Sequence, residues 1–324
     1  MGWEEIVAKF PEANLLQSPE YGRVNEILGN TVITEDFGNL GRALMVVHNA
    51  KRGRYMSIPC GPLIDWKNKK LVREAMTRIA EIAKAEKCGF VRIRPQLLAT
   101  KENLKLLEDL GLKESPMHLA AEHTVIVDLT KPEDVILAEM RRQTRYEVRR
   151  ADKLGIKVTS SNSKEIFDEF HAEQVKTAHR QNFVPPSAKT LEAEREAYGE
   201  NAKIYVAETA EGEKIAYGLV IGSGKEADYY EAASTLLNRK LPGAYALLWQ
   251  AIKDAKNAGY ERFNLWGIAP AGQPNHRYAG VTTFKTGFSD NVVEFVPAHD
   301  LVISRGKYLK NLIVEKARKK KRHL

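Results

Sequence analysis

Cysteine is scarce in this chain of 324 residues, where only Cys60 and Cys88 occur and no CxxC pair is present. The scarcity argues against a disulfide scaffold and a cysteine-rich zinc site, because both need several thiols at close spacing. No run of eighteen or more apolar residues occurs, so the sequence predicts no transmembrane helix. The first residues, MGWEE, carry acids where a signal peptide carries bases. We therefore expect a cytoplasmic protein.

Several short catalytic signatures are also missing. The sequence has no Walker loop and no Gly-x-Ser-x-Gly nucleophile elbow. His171 and His179 are eight residues apart on one predicted helix, too far for two ligands of one metal ion. We therefore predict no metal site and no cofactor.

The positive charge is concentrated at the C-terminus. The chain has 50 Lys and Arg against 42 Asp and Glu, and nine of these bases but only one acid follow Ser304. The rest of the chain is therefore neutral overall. Such a cluster suits anionic lipid headgroups or an RNA backbone. A solvated, frayed tail is the alternative.

The order of strand and helix patterns predicts an α/β (α+β) protein with two domains. A helix, a glycine and a strand at residues 82–94 recur without gaps at residues 252–264, which indicates two related halves. We place the first domain at 1–130, the second at 131–304, and a basic helix and tail at 305–324. One long helix is predicted over 132–154.

A basic stretch lies within this long helix. Arg141, Arg145 and Arg149 recur every four residues and so line one predicted helical face. Arginine presents a planar fork of donors that suits phosphate oxygens, so the three residues are candidates for binding the phosphates of an RNA or of another ligand. A solvated helix face is the alternative.

Two further stretches carry possible chemistry. Lys285 stands between Phe284 and Phe288, and a desolvated ammonium there could stabilise an oxyanion, or could simply extend past two core aromatics. Farther upstream, a predicted strand is followed by a helix that begins at Gly243-Ala244, the place where GNAT acetyltransferases bind coenzyme A phosphates. Lys240 stands where that motif has Arg or Gln, so the acyl-CoA interpretation stays only an alternative.

Seven segments in the same order resemble the FemABX family of aminoacyltransferases. They are Leu16-Gln-Ser-Pro-Glu-Tyr-Gly22, Gly61-Pro-Leu-Ile-Asp65, Arg145-Tyr-Glu-Val-Arg-Arg-Ala151, Tyr229-Tyr-Glu-Ala-Ala-Ser234, Gly243-Ala with Leu-Leu-Trp-Gln250, Asn264-Leu-Trp-Gly-Ile268 and Phe284-Lys-Thr-Gly-Phe288. No heptad pattern long enough for the coiled-coil arm of the larger members is present, so the resemblance is to the compact, armless type.

The resemblance implies a fold and a reaction. The fold would be two tandem GNAT-like domains, each a mixed sheet flanked by helices. The reaction would move an amino acid from aminoacyl-tRNA to an amine of a nucleotide-linked or lipid-linked peptidoglycan precursor. The precursor cleft would lie in the first domain or between the two, and transfer from the tRNA end is assigned to the second. We expect a monomer, with possible contact between the basic C-terminus and the inner membrane surface.

The resemblance also implies roles for individual residues. Lys285 would stabilise the oxyanion or the tRNA end, and Asp65 is a candidate general base, although its turn could equally be structural. Arg180 would contact precursor phosphates. Tyr229 or Tyr230 would hold the precursor, and Tyr278 is placed with them as a substrate-binding candidate.

Two other functions remain open on the sequence alone. The first is an N-acyltransferase that uses acyl-CoA on another amine, which the Gly243-Ala244 helix start favours. The second is a non-enzymatic protein that binds RNA or membranes, which the arginine stripe and the basic tail favour.

Overall fold

The computed structural model describes residues 2–51, 53–181, 183–273, 276 and 278–322. The α-helices in chain order are α1 (Trp3–Lys9), α2 (Pro19–Ile27), α3 (Lys69–Ala85), α4 (Lys101–Asp109), α5 (Glu133–Glu139), α6 (Arg142–Lys153), α7 (Lys164–Gln181), α8 (Ala188–Tyr198), α9 (Gly243–Asn257), α10 (Ala279–Lys285) and α11 (Arg305–Arg322). The strands are β1 (Thr31–Asp36), β2 (Gly41–Ala50), β3 (Gly53–Pro59), β4 (Leu63–Ile64), β5 (Phe90–Arg94), β6 (Lys113–Glu114), β7 (His123–Asp128), β8 (Lys157–Ser161), β9 (Ala202–Glu208), β10 (Lys214–Ser223), β11 (Glu226–Ser234), β12 (Arg262–Asn264), β13 (Val292–Glu294) and β14 (His299–Val302).

The first compact unit contains the residues up to Glu122 and those from Glu294 onward. Its sheet has the strand order β1-β2-β3-β5-β14-β6, and β4 pairs with β2. Helix α3 follows a side-chain cap, in which Asn68 Oδ1 accepts a hydrogen bond from Leu71 N at 3.1 Å. One face of α3 then packs on the sheet through Val72, Ala75 and Ile79, all fully buried.

The second compact unit is His123–Val293. Its sheet has the order β13-β7-β12-β11-β10-β9-β8. Helix α9 contributes Leu247, Leu248 and Ile252 to its hydrophobic core, together with Phe263 of β12. In both units a strand, a helix and a parallel strand follow one another: β3, α3 and β5 in the first, β11, α9 and β12 in the second. The predicted α/β class, with two mixed sheets flanked by helices, is confirmed.

The division of the chain differs from the predicted boundaries at 130 and 304. Strand β7 belongs to the second unit because its residues Ile126, Val127 and Asp128 pair with β12. Strand β14 belongs to the first unit because it lies between β5 and β6 and pairs with both. The segment from Glu294 onward therefore returns to the first unit, where the sequence had predicted the end of the second domain and a separate tail.

The predicted long helix over 132–154 is two helices, α5 and α6. Met140 and Arg141 separate them in extended conformations, with ψ values of 152° and 143°. Neither residue is a helix breaker, so the interruption comes from tertiary contacts: Arg141 N donates to Gly287 O at 2.8 Å. Within the described residues, we find no helix with the length and apolarity that a bilayer crossing requires.

Candidate active site

The candidate active site lies in the second unit, at a β-bulge in β11. Strand β10 pairs Leu219 with Glu231 and its next residue, Val220, with Tyr229, so Tyr230 is the extra residue. A bulge bends a strand and turns side chains away from the regular alternation, and bulges are common beside active sites. The bulge at Tyr230 therefore interrupts the regular alternation of side-chain directions at Tyr229, Tyr230 and Glu231.

The bulge separates the two tyrosines that the sequence analysis grouped together. Tyr229 is buried in the core of the second unit, where its ring lies over Gly218 so closely that a Cβ on that glycine would be 2.5 Å from it. Tyr230 is half-buried and meets Trp266 edge to face, with ring centroids 5.1 Å apart. Of the two predicted precursor-holding residues, Tyr230 is therefore the one with an accessible surface.

Trp266 belongs to a strained turn after β12. Its φ is +60°, a region that a bulky residue adopts only when the surroundings enforce it. The turn is held by Asn264, whose Oδ1 accepts a hydrogen bond from Trp266 N at 2.9 Å. The buried Thr124 hydroxyl donates to Trp266 O at 3.2 Å. These two hydrogen bonds hold the backbone of Trp266 directly before Gly267, whose carbonyl contacts Lys285.

Lys285 is the last residue of α10, and its Nζ donates to Gly267 O at 2.9 Å. The side chain is buried, although an ammonium has two more N–H donors that need partners. Flanking aromatics anchor α10: Phe284 and Phe288 pack edge to face at 5.3 Å, and both contact the Tyr245 ring of α9. The predicted framing of Lys285 therefore serves to dock its helix.

Three polar side chains from other elements complete the site. Gln174 of α7 is fully buried, and its Nε2 donates to Glu231 Oε2 at 2.8 Å. Glu194 of α8 is buried, and its Oε2 has no hydrogen-bond partner in the described part of the chain. Buried polar atoms without partners are uncommon in folded proteins, and they are a reason to look for a ligand or a reacting group.

The electrostatics couple these groups. Burial lowers the pKa of Lys285 to about 7, although the carboxylate of Glu231 acts in the opposite direction. Burial raises the pKa of Glu231 to about 7, against the effects of Lys285 and Gln174. Burial also raises the pKa of Glu194 to about 8, and the charge of Glu231 adds to this increase. A lysine and a carboxylate that both titrate near neutral pH can exchange protons with a substrate.

Arg180 of α7 lies next to this cluster. Its guanidinium donates to Thr177 Oγ1 at 2.8 Å and to the carbonyl of Ser234 at the end of β11. It also forms an ion pair with Glu173 at 3.4 Å. These contacts join α7, the helix of Gln174, to the end of β11. The phosphate-binding role of Arg180 stays a prediction.

The three predicted phosphate-binding arginines do not form one stripe. Arg141 precedes α6 and holds α10, the helix of Lys285, because its guanidinium donates to Thr283 O at 3.1 Å and to Thr286 Oγ1 at 2.9 Å. Arg145 donates to the carbonyls of Ala138 and Met140 at the break between α5 and α6. Arg149 is exposed. It lies in a surface recess with other residues of α6: Arg142, Arg145, Tyr146, Arg150 and Lys153.

The two remaining candidates occupy turns. Asp65, in the first unit, is exposed and accepts a hydrogen bond from Lys67 N at 2.9 Å, which defines a local turn before α3. Tyr278 caps α10 in the second unit and is 37% exposed, with its ring 5.2 Å from that of His276. The structure thus places Tyr278 on the helix of Lys285 and gives Asp65 a turn-forming contact.

The helix start at Gly243 has a packing explanation. A Cβ on Gly243 would lie 2.4 Å from the Ile215 side chain, so the glycine allows α9 to approach β10. The amide of Ala244 donates to Asn238 Oδ1 at 2.9 Å, which occupies a donor that a phosphate would need. The feature that favoured an acyl-CoA enzyme is accounted for by these contacts.

Comparison with known proteins identifies the class. A sequence profile described as the FemAB family matches residues 3–213 and 209–316. Aminoacyltransferase FemA from Staphylococcus aureus strains MRSA252 and MW2 is 22% identical over 320 residues, which cover 73% of this chain and 76% of the relative.

Solved structures show the same fold. The crystal structure of FemX superposes with a TM-score of 0.84 at 17% identity, over 97% of both chains. L-PGS from Bacillus licheniformis gives a TM-score of 0.61 at 14% identity, over 97% of this chain and 95% of that one. A tandem GNAT protein from the clavulanic acid biosynthesis pathway gives 0.51 at 11% identity, over 84% and 82%.

The chain is thus a transferase with two GNAT-like halves. It belongs to the FemAB family, as the seven sequence segments predicted.

Proposed function

We propose that this enzyme transfers an amino acid from the ester of an aminoacyl-tRNA to an amine on the stem peptide of a peptidoglycan precursor. The observation that carries the proposal is the cluster at the β11 bulge, where a buried lysine and a half-buried carboxylate titrate near neutral pH. In ester aminolysis an oxyanion forms at the carbonyl and a proton leaves the amine. A buried lysine can stabilise the oxyanion, and a carboxylate that titrates near neutral pH can accept the proton. Aminoacyl-tRNA is the co-substrate, and no cofactor is proposed.

Lys285 is proposed to stabilise the oxyanion. Its Nζ is held by Gly267 O and retains two further N–H groups for the carbonyl oxygen of the aminoacyl ester. Because the side chain is buried, a charge contact there is stronger than it would be in water. Tyr230 and Tyr278 are proposed to line the path of the incoming peptide.

Glu231 is proposed as the proton acceptor in place of Asp65. The amine nitrogen forms the new C–N bond and gives its proton to Glu231, and the ester C–O bond breaks as Lys285 gives a proton to the leaving ribose oxygen. Transfer of the proton from Glu231 to Lys285 then restores both groups. Gln174 orients the carboxylate through its 2.8 Å hydrogen bond.

The partners follow from this reaction. We propose that the exposed arginines of the α6 recess, Arg142 and Arg149, bind tRNA phosphates, whereas Arg141 and Arg145 position the surrounding helices. The acceptor is a nucleotide-linked or lipid-linked precursor, and a cytoplasmic monomer is the proposed working form.

A transfer assay tests this function directly. Radiolabelled amino acids on a mixed tRNA pool are incubated with the enzyme and muropeptide precursors, with RNase-treated and acetyl-CoA reactions as controls. We expect label in the precursor that RNase abolishes and that acetyl-CoA does not replace. Acyl-CoA consumption without tRNA-dependent transfer would instead support the N-acyltransferase, and RNA binding without any transfer would support a binding protein.

A further inference from the structure

The C-terminal helix α11 is held on the first unit by one face. Tyr308 packs edge to face on Phe90 at 5.5 Å, and Glu315 forms an ion pair with Arg92 at 2.8 Å. Asn311 is buried between them. These residues are three and four positions apart and therefore share one side of the helix.

The helix approaches the unit closely. A Cβ on Gly89 would lie 2.9 Å from the Lys307 side chain, and Lys307 Nζ donates to Lys87 O at 3.0 Å. The amides of Ile303 and Ser304 donate to Gly89 O just before α11 begins. The rotational setting of the helix is thus fixed, and so is the set of side chains that it exposes.

The outer face of α11 exposes two large apolar side chains one turn apart. Leu309 is 56% exposed and Ile313 is 62% exposed. Exposed lysines adjoin them: Lys316 lies on the same stripe, three residues beyond Ile313, and Lys310 follows Leu309. The sequence then continues with five consecutive bases, Arg318-Lys-Lys-Lys-Arg322. An apolar pair bordered by dense positive charge is typical of helices that lie on a membrane surface.

We propose that the outer face of α11, defined by Leu309, Lys310, Ile313 and Lys316, docks on an anionic lipid bilayer. The two apolar side chains enter the headgroup region, while the lysine stems extend alongside and place their ammonium groups at the lipid phosphates. The proposal deepens the proposed function, since it would bring the active site to a lipid-linked acceptor. Lipid binding itself is measurable without any substrate.

Charge and apolarity together favour a bilayer over other occupants. An RNA backbone would use the bases but would gain nothing from Leu309 and Ile313. A second copy of this chain could cover the apolar pair, but a symmetric contact would bring two strongly basic helices together. An anionic membrane offers a partner both to the apolar pair and to the lysines of this face.

Vesicle binding of the full-length chain tests the proposal. Sedimentation with phosphatidylcholine vesicles is compared with sedimentation on vesicles that contain about 30% phosphatidylglycerol, at low and high salt. We expect binding only to the anionic vesicles and a loss of binding at high salt. Wild-type protein that ignores the anionic vesicles, or that binds both vesicle types equally, overturns the proposal.

Paired variants separate the two contributions. Leu309→Ser with Ile313→Ser should lower the partition coefficient about 10-fold or more, since two apolar side chains lose their insertion. Lys310→Gln with Lys316→Gln should lower it about 5-fold for each lysine. The matched control is Leu98→Ser, because Leu98 is 53% exposed in the same unit but lies outside α11. A control variant that loses as much binding as the serine pair contradicts the assignment of this face.

Two further measurements keep the result distinct from the catalytic proposal. The serine pair should retain transfer to a soluble precursor while it loses binding to vesicles, which separates docking from chemistry. In analytical ultracentrifugation, a wild-type dimer that the serine pair converts to a monomer would assign the face to self-association and overturn the membrane proposal.

Discussion

Two buried cations, Arg92 in the first unit and Lys285 in the second, have contrasting partners. In the first unit, Arg92 is buried and pairs with two carboxylates: it donates to Asp300 at 2.8 and 3.0 Å and to Glu315 at 2.8 and 3.3 Å. In the second unit, Lys285 has a carbonyl partner, and Glu194 has a buried oxygen without a described partner. Removal of one partner from a buried ion pair is strongly destabilising, whereas incompletely paired groups with shifted pKa values are typical of a reacting site.

The largest effect should come from breaking the paired cluster of the first unit. Arg92→Leu leaves the fully buried Asp300 and its neighbour Glu315 without a cation, so we expect the free energy of unfolding to fall by about 3–5 kcal/mol. Denaturant unfolding measures the change. Lys105→Ala is the control, because its ion pair with Asp109 is exposed and should contribute at most about 1 kcal/mol. Equal losses in the two variants would contradict the assigned role of Arg92.

Removal of the buried Lys285 in the second unit should lower activity rather than stability. Lys285→Met fills the same space but removes the ammonium, so turnover should fall about 10²–10³-fold while the stability is maintained or increased. Steady-state transfer and denaturant unfolding are measured on the same preparation. Lys225→Met, which alters an ion pair with Glu261 at the surface, should transfer at the wild-type rate. A loss of stability with normal turnover would make Lys285 a structural residue like Arg92.

The pH dependence of kcat/KM tests the role proposed for Glu231 in the second unit. Glu231 must be ionised to accept a proton, and its pKa is raised to about 7, so kcat/KM should rise with pH through that value. It should then fall as Lys285, whose pKa is lowered to about 7, loses the proton that it must donate, so the profile should be bell-shaped. Glu231→Gln should lower the rate about 10²-fold at the optimum and remove this acid limb. Glu208→Gln in β9 is the control and should keep the wild-type profile. An acid limb that persists unchanged in Glu231→Gln would exclude this carboxylate as the proton acceptor.

Lys285 was a candidate from the sequence because it lies in a recognisable motif with two aromatic residues, and its catalytic role stays a prediction. The sequence did not identify Glu231, Gln174 and Glu194 as a cluster, since they come from β11, α7 and α8, and isolated Glu and Gln residues carry no spacing signal. Glu231 lies in one of the seven segments that resemble the family. Its side-chain direction depends on the bulge at Tyr230, which the segment alone does not reveal. A register shift of this kind depends on pairing with β10, which a single strand does not encode.

The same limit applies to the arginines. A period of four residues correctly indicated helix, but it carried no information on the interruption at Met140 and Arg141, which contacts with Gly287 and Thr283 produce. The predicted α/β class needed only local patterns and was recovered. The division of the chain needed long-range pairing of β14, a four-residue strand without a distinctive sequence.

The position of β14 has a consequence for biosynthesis. Strand β14 lies between β5 and β6, so this sheet is incomplete until residues up to Val302 have left the ribosome. The residues of the second unit are contiguous and all emerge earlier. During translation the polar cluster at the β11 bulge can therefore form before β14 is available to the first unit, while the edges of β5 and β6 are open to wrong partners.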